Sequence, residues 1–198
     1  MRGILNGLEV VELSSVLAGP VAGSFLAELG ANVRKVEPPS GDVTRSWLSK
    51  GEEPRKAGSA YYAAANTGKE VIRLDLKSEE GQSAMRSLLR SADIVVSNYL
   101  PEIANKLLVS YSHVQELNSK VIFAHLAGFE SQKNRPAYDA VIQAESGWMS
   151  MNGTPDSGPL KMPMAMMDLF AGHHLKEAIL LALLKRERTG EGSRITVS

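Results

Sequence analysis

Short apolar runs rich in β-branched residues alternate with segments of helical periodicity along most of this chain, and that alternation restricts its fold more than any other feature. Leu8-Glu9-Val10-Val11-Glu12-Leu13, Asn32 to Glu37, Val71 to Leu76, Asp93-Ile94-Val95-Val96-Ser97 and Val121-Ile122-Phe123-Ala124 read as strands. Between the first two, Val21, Phe25, Leu26 and Leu29 recur at helical spacing, and Gly30 is placed to end that helix. Ser59 is a predicted N-cap for a short helix to Ala65, and Ser78-Glu79-Glu80 opens one that carries Met85, Leu88 and Leu89. Pro101 suits the first position of a helix through Leu107. The pattern predicts an α/β protein: an open, mostly parallel sheet with helices on both faces.

Beyond Phe129 the pattern turns helical. Tyr138 to Met151 reads as a helix and Asn152 to Met164 as a loop. Asp168 to Arg188 reads as a long amphipathic helix, with Lys185, Arg186 and Arg188 in its last turn where the helix dipole favours cations. Arg194-Ile195-Thr196-Val197 then reads as one more strand. A strand in that position implies a sheet that continues in a longer parent or is completed by another polypeptide. The 198 residues suffice for one domain with a sizeable core. Lys plus Arg and Asp plus Glu number 22 each, so there is no basic excess of the kind nucleic-acid binding needs. The absence of cysteine removes disulfide and thiolate chemistry and fits a reducing compartment. The first residues form no signal-peptide core, and the longest apolar run, Ala178 to Leu184, is too short to span a bilayer. The expectation is a soluble cytoplasmic protein.

For chemistry, the sequence offers one prominent carboxylate. Asp168 follows a Gly- and Pro-rich stretch and opens the long helix, where it reads either as an N-cap or as a nucleophile. Gly19 and Gly23 are misplaced for a dinucleotide fingerprint after the first strand. None of His113, His125, His173 and His174 has metal-ligand spacing, so no metal site is expected. Met162, Met164, Met166 and Met167 read as core filling or as the lining of an acyl pocket. Arg45, Lys69, Lys77 and Lys106 read as surface residues unless an anionic ligand crosses this side of the sheet.

A series of segments taken in order is more specific. It comprises Leu8–Leu13 through Leu17-Ala18-Gly19-Pro20, Leu29-Gly30-Ala31-Asn32 through Glu37-Pro38, and Gly41-Asp42-Val43-Thr44-Arg45. Asn66-Thr67-Gly68-Lys69, Leu74-Asp75-Leu76-Lys77 and Ala92-Asp93 through Asn98-Tyr99 with Pro101 follow. Tyr138-Asp139, Gln143-Ala144, Gly147, Asp168-Leu169 and Arg188-Thr189-Gly190-Glu191-Gly192 complete it. Together they resemble the family III CoA-transferases over nearly the whole chain. The resemblance implies a Rossmann-like sheet, with residues 1–198 forming the N-terminal part of the large domain and lacking the family's second, small domain. It implies that Asp168 is the nucleophile in CoA transfer from an acyl-CoA to a small organic acid, through an aspartyl anhydride and an aspartyl-CoA thioester. The helix N-terminus would keep this carboxylate ionised and steady developing negative charge. The resemblance also places Val16, Leu17, Ala18, Lys69, Asn98, Tyr99 and Lys106 against CoA, and Tyr138 near the reacting centre. Lys106 stands where many relatives carry Arg. Leu17 replaces the Gln typical of formyl-CoA transferases. Tyr138 replaces the histidine that α-methylacyl-CoA racemases use beside their aspartate, which speaks against the rival racemase or epimerase reading. Family members form interlocked homodimers, so the expected partner is a second copy, or a complementary C-terminal polypeptide with this chain as an incomplete CoA-binding subunit.

Overall fold

A computed structural model describes residues 3–198 except 54, 56, 132 and 133. Six parallel strands form one sheet: β1 (Glu9–Leu13), β2 (Asn32–Glu37), β3 (Glu70–Arg73), β4 (Ile94–Ser97), β5 (Ile122–Leu126) and β8 (Ser193–Val197). Their order is β3-β2-β1-β4-β5-β8, so successive connections run away from β1 on one side and from β4 on the other. The point where the direction reverses, between β1 and β4, is where open α/β sheets leave a crevice at their carboxyl ends.

Each strand alternates its side chains between two cores. Val10, Val33, Ile94, Val96, Ile122 and Ala124 face α1 (Ala18–Glu28) and α7 (Met166–Thr189), which supply Ala22, Leu26, Leu175 and Ile179. Val11, Val36, Val95 and Phe123 face the opposite layer, α3 (Glu79–Ser91), α4 (Pro101–Lys106) and α5 (Tyr111–Leu117), which supplies Met85, Leu89, Ala104 and Val114. The expected α/β sheet with helices on both faces is therefore the observed one.

Local chemistry sets the boundaries. Ser59 and Ser78 cap α2 (Ala60–Ala65) and α3 as predicted, accepting from the backbone N–H groups of Tyr62 and Gly81. Gly190, at φ 73°, closes α7. Three expectations are corrected. The helix predicted for Tyr138 to Met151 is broken into α6 (Asp139–Glu145) and a 3-10 turn (Trp148–Met151), because Gly147 turns left-handed at φ 85°. The loop predicted from Asn152 to Met164 contains a small antiparallel hairpin, β6 (Gly153–Thr154) with β7 (Gly158–Pro159). The third strand ends at Arg73 rather than Leu76, since its register with β2 runs out at Glu37. Helix α5 was unforeseen: its two turns bury only Val114 fully, too little periodicity to read from sequence.

Between β1, β2 and α1 lies a buried ionic cluster. Glu12 and Lys35 are register partners on adjacent strands, and both side chains are fully buried. The Lys35 ammonium lies 3.0 Å from Glu12 Oε1, 3.0 Å from Asp42 Oδ2 and 2.7 Å from the Ser14 carbonyl. Glu12 Oε2 is 2.7 Å from the ammonium of Lys69. Burial alone would pull the Lys35 pKa down, but Glu12 and Asp42 outweigh it and hold it above its ordinary value. At Lys69 burial wins over Glu12, and its pKa falls to about 8. A Cβ on Gly23 would come within 1.9 Å of Glu12 Oε2, so α1 meets this cluster through a residue with no side chain.

Candidate active site

The carboxyl end of β1 runs into a turn under strain. Val16 is left-handed at φ 70°, which a β-branched residue adopts only when its surroundings impose it. Asn98, just past β4, supplies the constraint. Its Oδ1 accepts from the Ser15 N–H at 3.2 Å and its Nδ2 donates to the Ser15 carbonyl at 3.0 Å, clamping that residue across the crevice. Helix α1 then begins with no side-chain cap at Leu17 and no acidic residue in its first turn. The buried Ser14 hydroxyl beside Gly19 has no hydrogen-bond partner among the described residues. Unsatisfied N–H groups, a helix dipole and an unused hydroxyl thus converge at one place.

Asp168 approaches this place from α7. Gly172, one turn further along the same helix face, packs so closely on α1 that a Cβ there would lie 2.9 Å from the Ala18 carbonyl. Gly172→Val should therefore push the two helices apart and cost about 1–3 kcal/mol of stability, read from a urea midpoint. An unchanged midpoint would mean that the helices do not meet here.

Asp168 does not open its helix, contrary to expectation. The helix starts at Met166, and its cap is Asp139, at the start of α6. Asp139 Oδ1 accepts from the Met167 N–H at 2.7 Å and the Asp168 N–H at 3.4 Å. The fully buried Gln143 holds Asp139 in turn: its Nε2 donates to Asp139 Oδ2 at 2.6 Å and to the Met164 carbonyl at 3.2 Å, and its Oε1 accepts from the Met162 N–H at 2.8 Å. The first amides of α7 are thus occupied by a protein carboxylate. The helix end does not hold the Asp168 carboxyl below its ordinary value. Burial, and then the neighbouring Asp139 charge, push its carboxyl up to about 6. The Asp168 carboxylate accepts no hydrogen bond among the described residues. The same pair of carboxylates adds to the effect of burial in raising the Tyr61 phenol, so Tyr61, with the Trp47 ring tilted against it at 5.4 Å, shares their surroundings.

In Asp139→Asn an acceptor for the Met167 amide remains while the charge is lost. The Asp168 midpoint should fall below about 6, which a carbon-13 carboxyl titration reads directly. A midpoint left in place would assign the elevation to burial alone.

The other sequence-predicted residues fall into three groups. Val16, Leu17, Ala18 and Asn98 form the clamped turn, with Tyr99 following Asn98 at the end of β4. Lys69 is turned inward, where its ammonium also meets the carbonyls of Pro20 and Ala65 and Asn66 Oδ1. Lys106 is exposed in the last turn of α4, and Tyr138, 65% exposed, precedes Asp139, with no hydrogen bond from its phenol among the described residues. Met164 is 55% exposed and so fills no core. The sequence reading missed the supporting groups, Glu12, Lys35 and Asp42 below the turn and Asp139 with Gln143 beneath the helix. Charged residues inside otherwise apolar parallel strands were the available signal for Glu12 and Lys35. No group of three or more His, Cys, Asp or Glu residues suited to a metal occurs among the described residues, and none of the helices there is long and apolar enough to cross a membrane.

A clamped, strained turn at the switch point of a parallel sheet, with a half-buried carboxylate one turn before the glycine that packs α7 on α1, defines an α/β protein with a crevice at the carboxyl end of its sheet. The chain belongs to CoA-transferase family III, which it matches over residues 5–198. It is 39% identical over 201 residues to a succinate–glutarate CoA-transferase of Agrobacterium fabrum, covering 98% of this chain and 50% of that protein. It is 38% identical over 198 residues to a formyl-CoA:oxalate CoA-transferase of Escherichia coli O6:H1, covering 98% and 47%. Among solved structures, a CAIB/BAIF family protein from Brucella suis superposes with a TM-score of 0.89 at 38% identity, covering 98% of this chain and 53% of that one. A hypothetical protein from Mycobacterium tuberculosis gives a TM-score of 0.89 at 32% identity, covering 100% and 55%. The chain spans about half the length of the curated relatives it matches.

Proposed function

We propose that this chain is the N-terminal part of the large domain of a CoA-transferase that moves CoA from an acyl-CoA donor to a carboxylic acid acceptor, with Asp168 as nucleophile. The observation that supports it best is the state of Asp168: half-buried, without a hydrogen-bond donor among the described residues, and on the face of α7 that packs against the start of α1. A poorly solvated carboxylate is more reactive than a hydrated one, and at neutral pH a group with a pKa of about 6 is still ionised.

An Asp168 carboxylate oxygen attacks the thioester carbonyl carbon, the C–S bond breaks, and CoA thiolate leaves a mixed anhydride. The thiolate attacks the Asp168 carbonyl carbon, releasing the donor acid and forming an aspartyl-CoA thioester. The acceptor carboxylate attacks that thioester, expelling thiolate and giving a second anhydride. The thiolate then attacks the acceptor's acyl carbon, yielding the new acyl-CoA and free Asp168. No proton is consumed, so no general base is required. The open amides at the start of α1, rather than the occupied ones of α7, suit the developing oxyanion or another anionic part of the substrate. Val16, Leu17, Ala18, Asn98 and Tyr99 form the proposed CoA face, with Lys106 as a surface cation for its phosphates. Lys69 acts from within, through Glu12 and the carbonyl of Pro20, as a support of the turn. Tyr138 is proposed to meet substrate from the α6 side. A cysteine-free chain that uses CoA esters fits the cytoplasm.

Because the chain spans half the length of its relatives, a second reading stands beside this one: a CoA-binding portion that acts only with a second copy, as in an interlocked homodimer, or with a complementary C-terminal polypeptide. Intact mass after rapid quenching from a panel of acyl-CoA donors separates the two. An acyl or CoA adduct on the wild type and none on Asp168→Ala is the expected result. An adduct that persists on the variant overturns the nucleophile assignment, and none on either favours the second reading.

A further inference from the structure

A cavity of about 210 Å³ opens between α4, the start of α5 and strands β4, β5 and β8. It lies on the α3–α5 face of the sheet, whereas Asp168 belongs to α7 on the other face, so the sheet separates them. Its polar walls are the hydroxyls of Ser97, Ser110 and Ser112, the Asn105 amide, the His125 imidazole and the Arg194 guanidinium, with Tyr111 and with Tyr99, which this cavity shares with the proposed CoA face; no Asp or Glu among the described residues lines it. Arg194 forms no ion pair among the described residues; its one close partner is the Tyr111 ring, 5.3 Å from the guanidinium carbon. The Ser110 hydroxyl is already oriented, 2.7 Å from His113 Nδ1 and 3.0 Å from the Ser112 hydroxyl. Burial, opposed by a hydrogen bond with the Ser97 backbone and aided by the Arg194 charge, holds the His125 pKa below its ordinary value.

A guanidinium without a carboxylate, facing serine hydroxyls in a concave and partly apolar recess, is complementary to a small oxyanion. The planar fork pairs two oxygens, hydroxyls supply the remaining donors, and the stem of the ligand rests on Phe123 and Ala104. We propose that this cavity is a second binding site, for a carboxylate or phosphate group, with Arg194 as its anchor and Ser110 and Ser112 as its orienting donors. Its occupation does not depend on the chemistry assigned to Asp168. An anion bound there ties the edge strand β8 to α5, two elements otherwise joined at this end through the Arg194–Tyr111 contact.

The test is a nitrogen-15 NMR titration of the 198-residue chain at constant ionic strength, with inorganic phosphate in one arm and acetate in the other. Saturable shifts at Ser110, Ser112 and His125 in at least one arm, weakened at least about tenfold in Arg194→Gln and reduced in Ser110→Ala, are expected. The arm that saturates first identifies the anion class. Arg194 is exposed at the sheet edge, so its replacement leaves the fold intact, which the dispersion of the same spectra verifies. Shifts that fail to saturate in both arms, or that are equal in Arg194→Gln, overturn the proposal.

Discussion

Asp168→Asn should abolish CoA exchange and, at the same time, stabilise the protein. Asparagine has nearly the same shape but no nucleophilic oxygen, so exchange should fall by at least about a thousandfold, the scale on which loss of a covalent nucleophile is felt. The stability gain follows from linkage. The folded-state pKa of Asp168 is raised to about 6, by burial first and by the Asp139 charge second, above the ordinary carboxylate value near 3.8. The folded protein therefore holds this proton more tightly than the unfolded chain, and its stability falls as the pH rises from about 4 through 6. With a discount for partial exposure, the ionised group costs about 1–2 kcal/mol at neutral pH. Asp168→Asn should gain that amount at pH 8 and gain almost nothing at pH 4, in paired urea melts. If Asp168 acts as proposed, exchange by the wild type should rise with pH through about 6 as its carboxyl ionises. A variant equally affected at both pH values would show that Asp168 is ordinarily solvated, and the reading of a reactive buried carboxylate would fail.

The second large effect concerns a residue that touches no ligand. Glu12→Gln should destabilise the fold by about 3–5 kcal/mol, because it leaves the buried ammoniums of Lys35 and Lys69 without the anion between them. Asp42 remains near Lys35, but Lys69 keeps only carbonyl and amide oxygens. Lys69 already has its pKa lowered to about 8 by burial, and without Glu12 it should lose its proton at neutral pH. A loss under about 1 kcal/mol in a denaturant melt would mean that water or rearrangement replaces the pair. The turn at Val16 rests on this cluster, since Lys35 holds the Ser14 carbonyl and Lys69 the Pro20 carbonyl, one on each side of the strained residue. Glu12→Gln should accordingly loosen the turn before it unfolds the sheet, and amide exchange at Ser15 to Gly19 reports that order of events.

Much of this architecture is written locally. A strand such as Val10-Val11-Glu12-Leu13 is buried on both faces, so it reads as an apolar run, and Ser59 and Ser78 announce their helices because an N-cap is a contact between near neighbours in sequence. Family membership was legible for the same reason, through short segments that each fix a turn or a strand end. Asp168 itself could be chosen from sequence, but its condition could not. Whether it caps its helix depended on Asp139, 29 residues away, taking that place first. Tertiary packing alone decided that Gly147 would break a helix whose periodicity continued past it, and that Lys69 would turn inward to Glu12 rather than outward. The sequence by itself determined the strands, the caps and the family, because hydrogen-bonding periodicity and side-chain burial act over a few residues. The tertiary structure decided the charge state of Asp168, the strain at Val16 and the lack of an ion pair for Arg194 among the described residues, because Coulomb interactions and desolvation depend on which distant groups share a low-dielectric space.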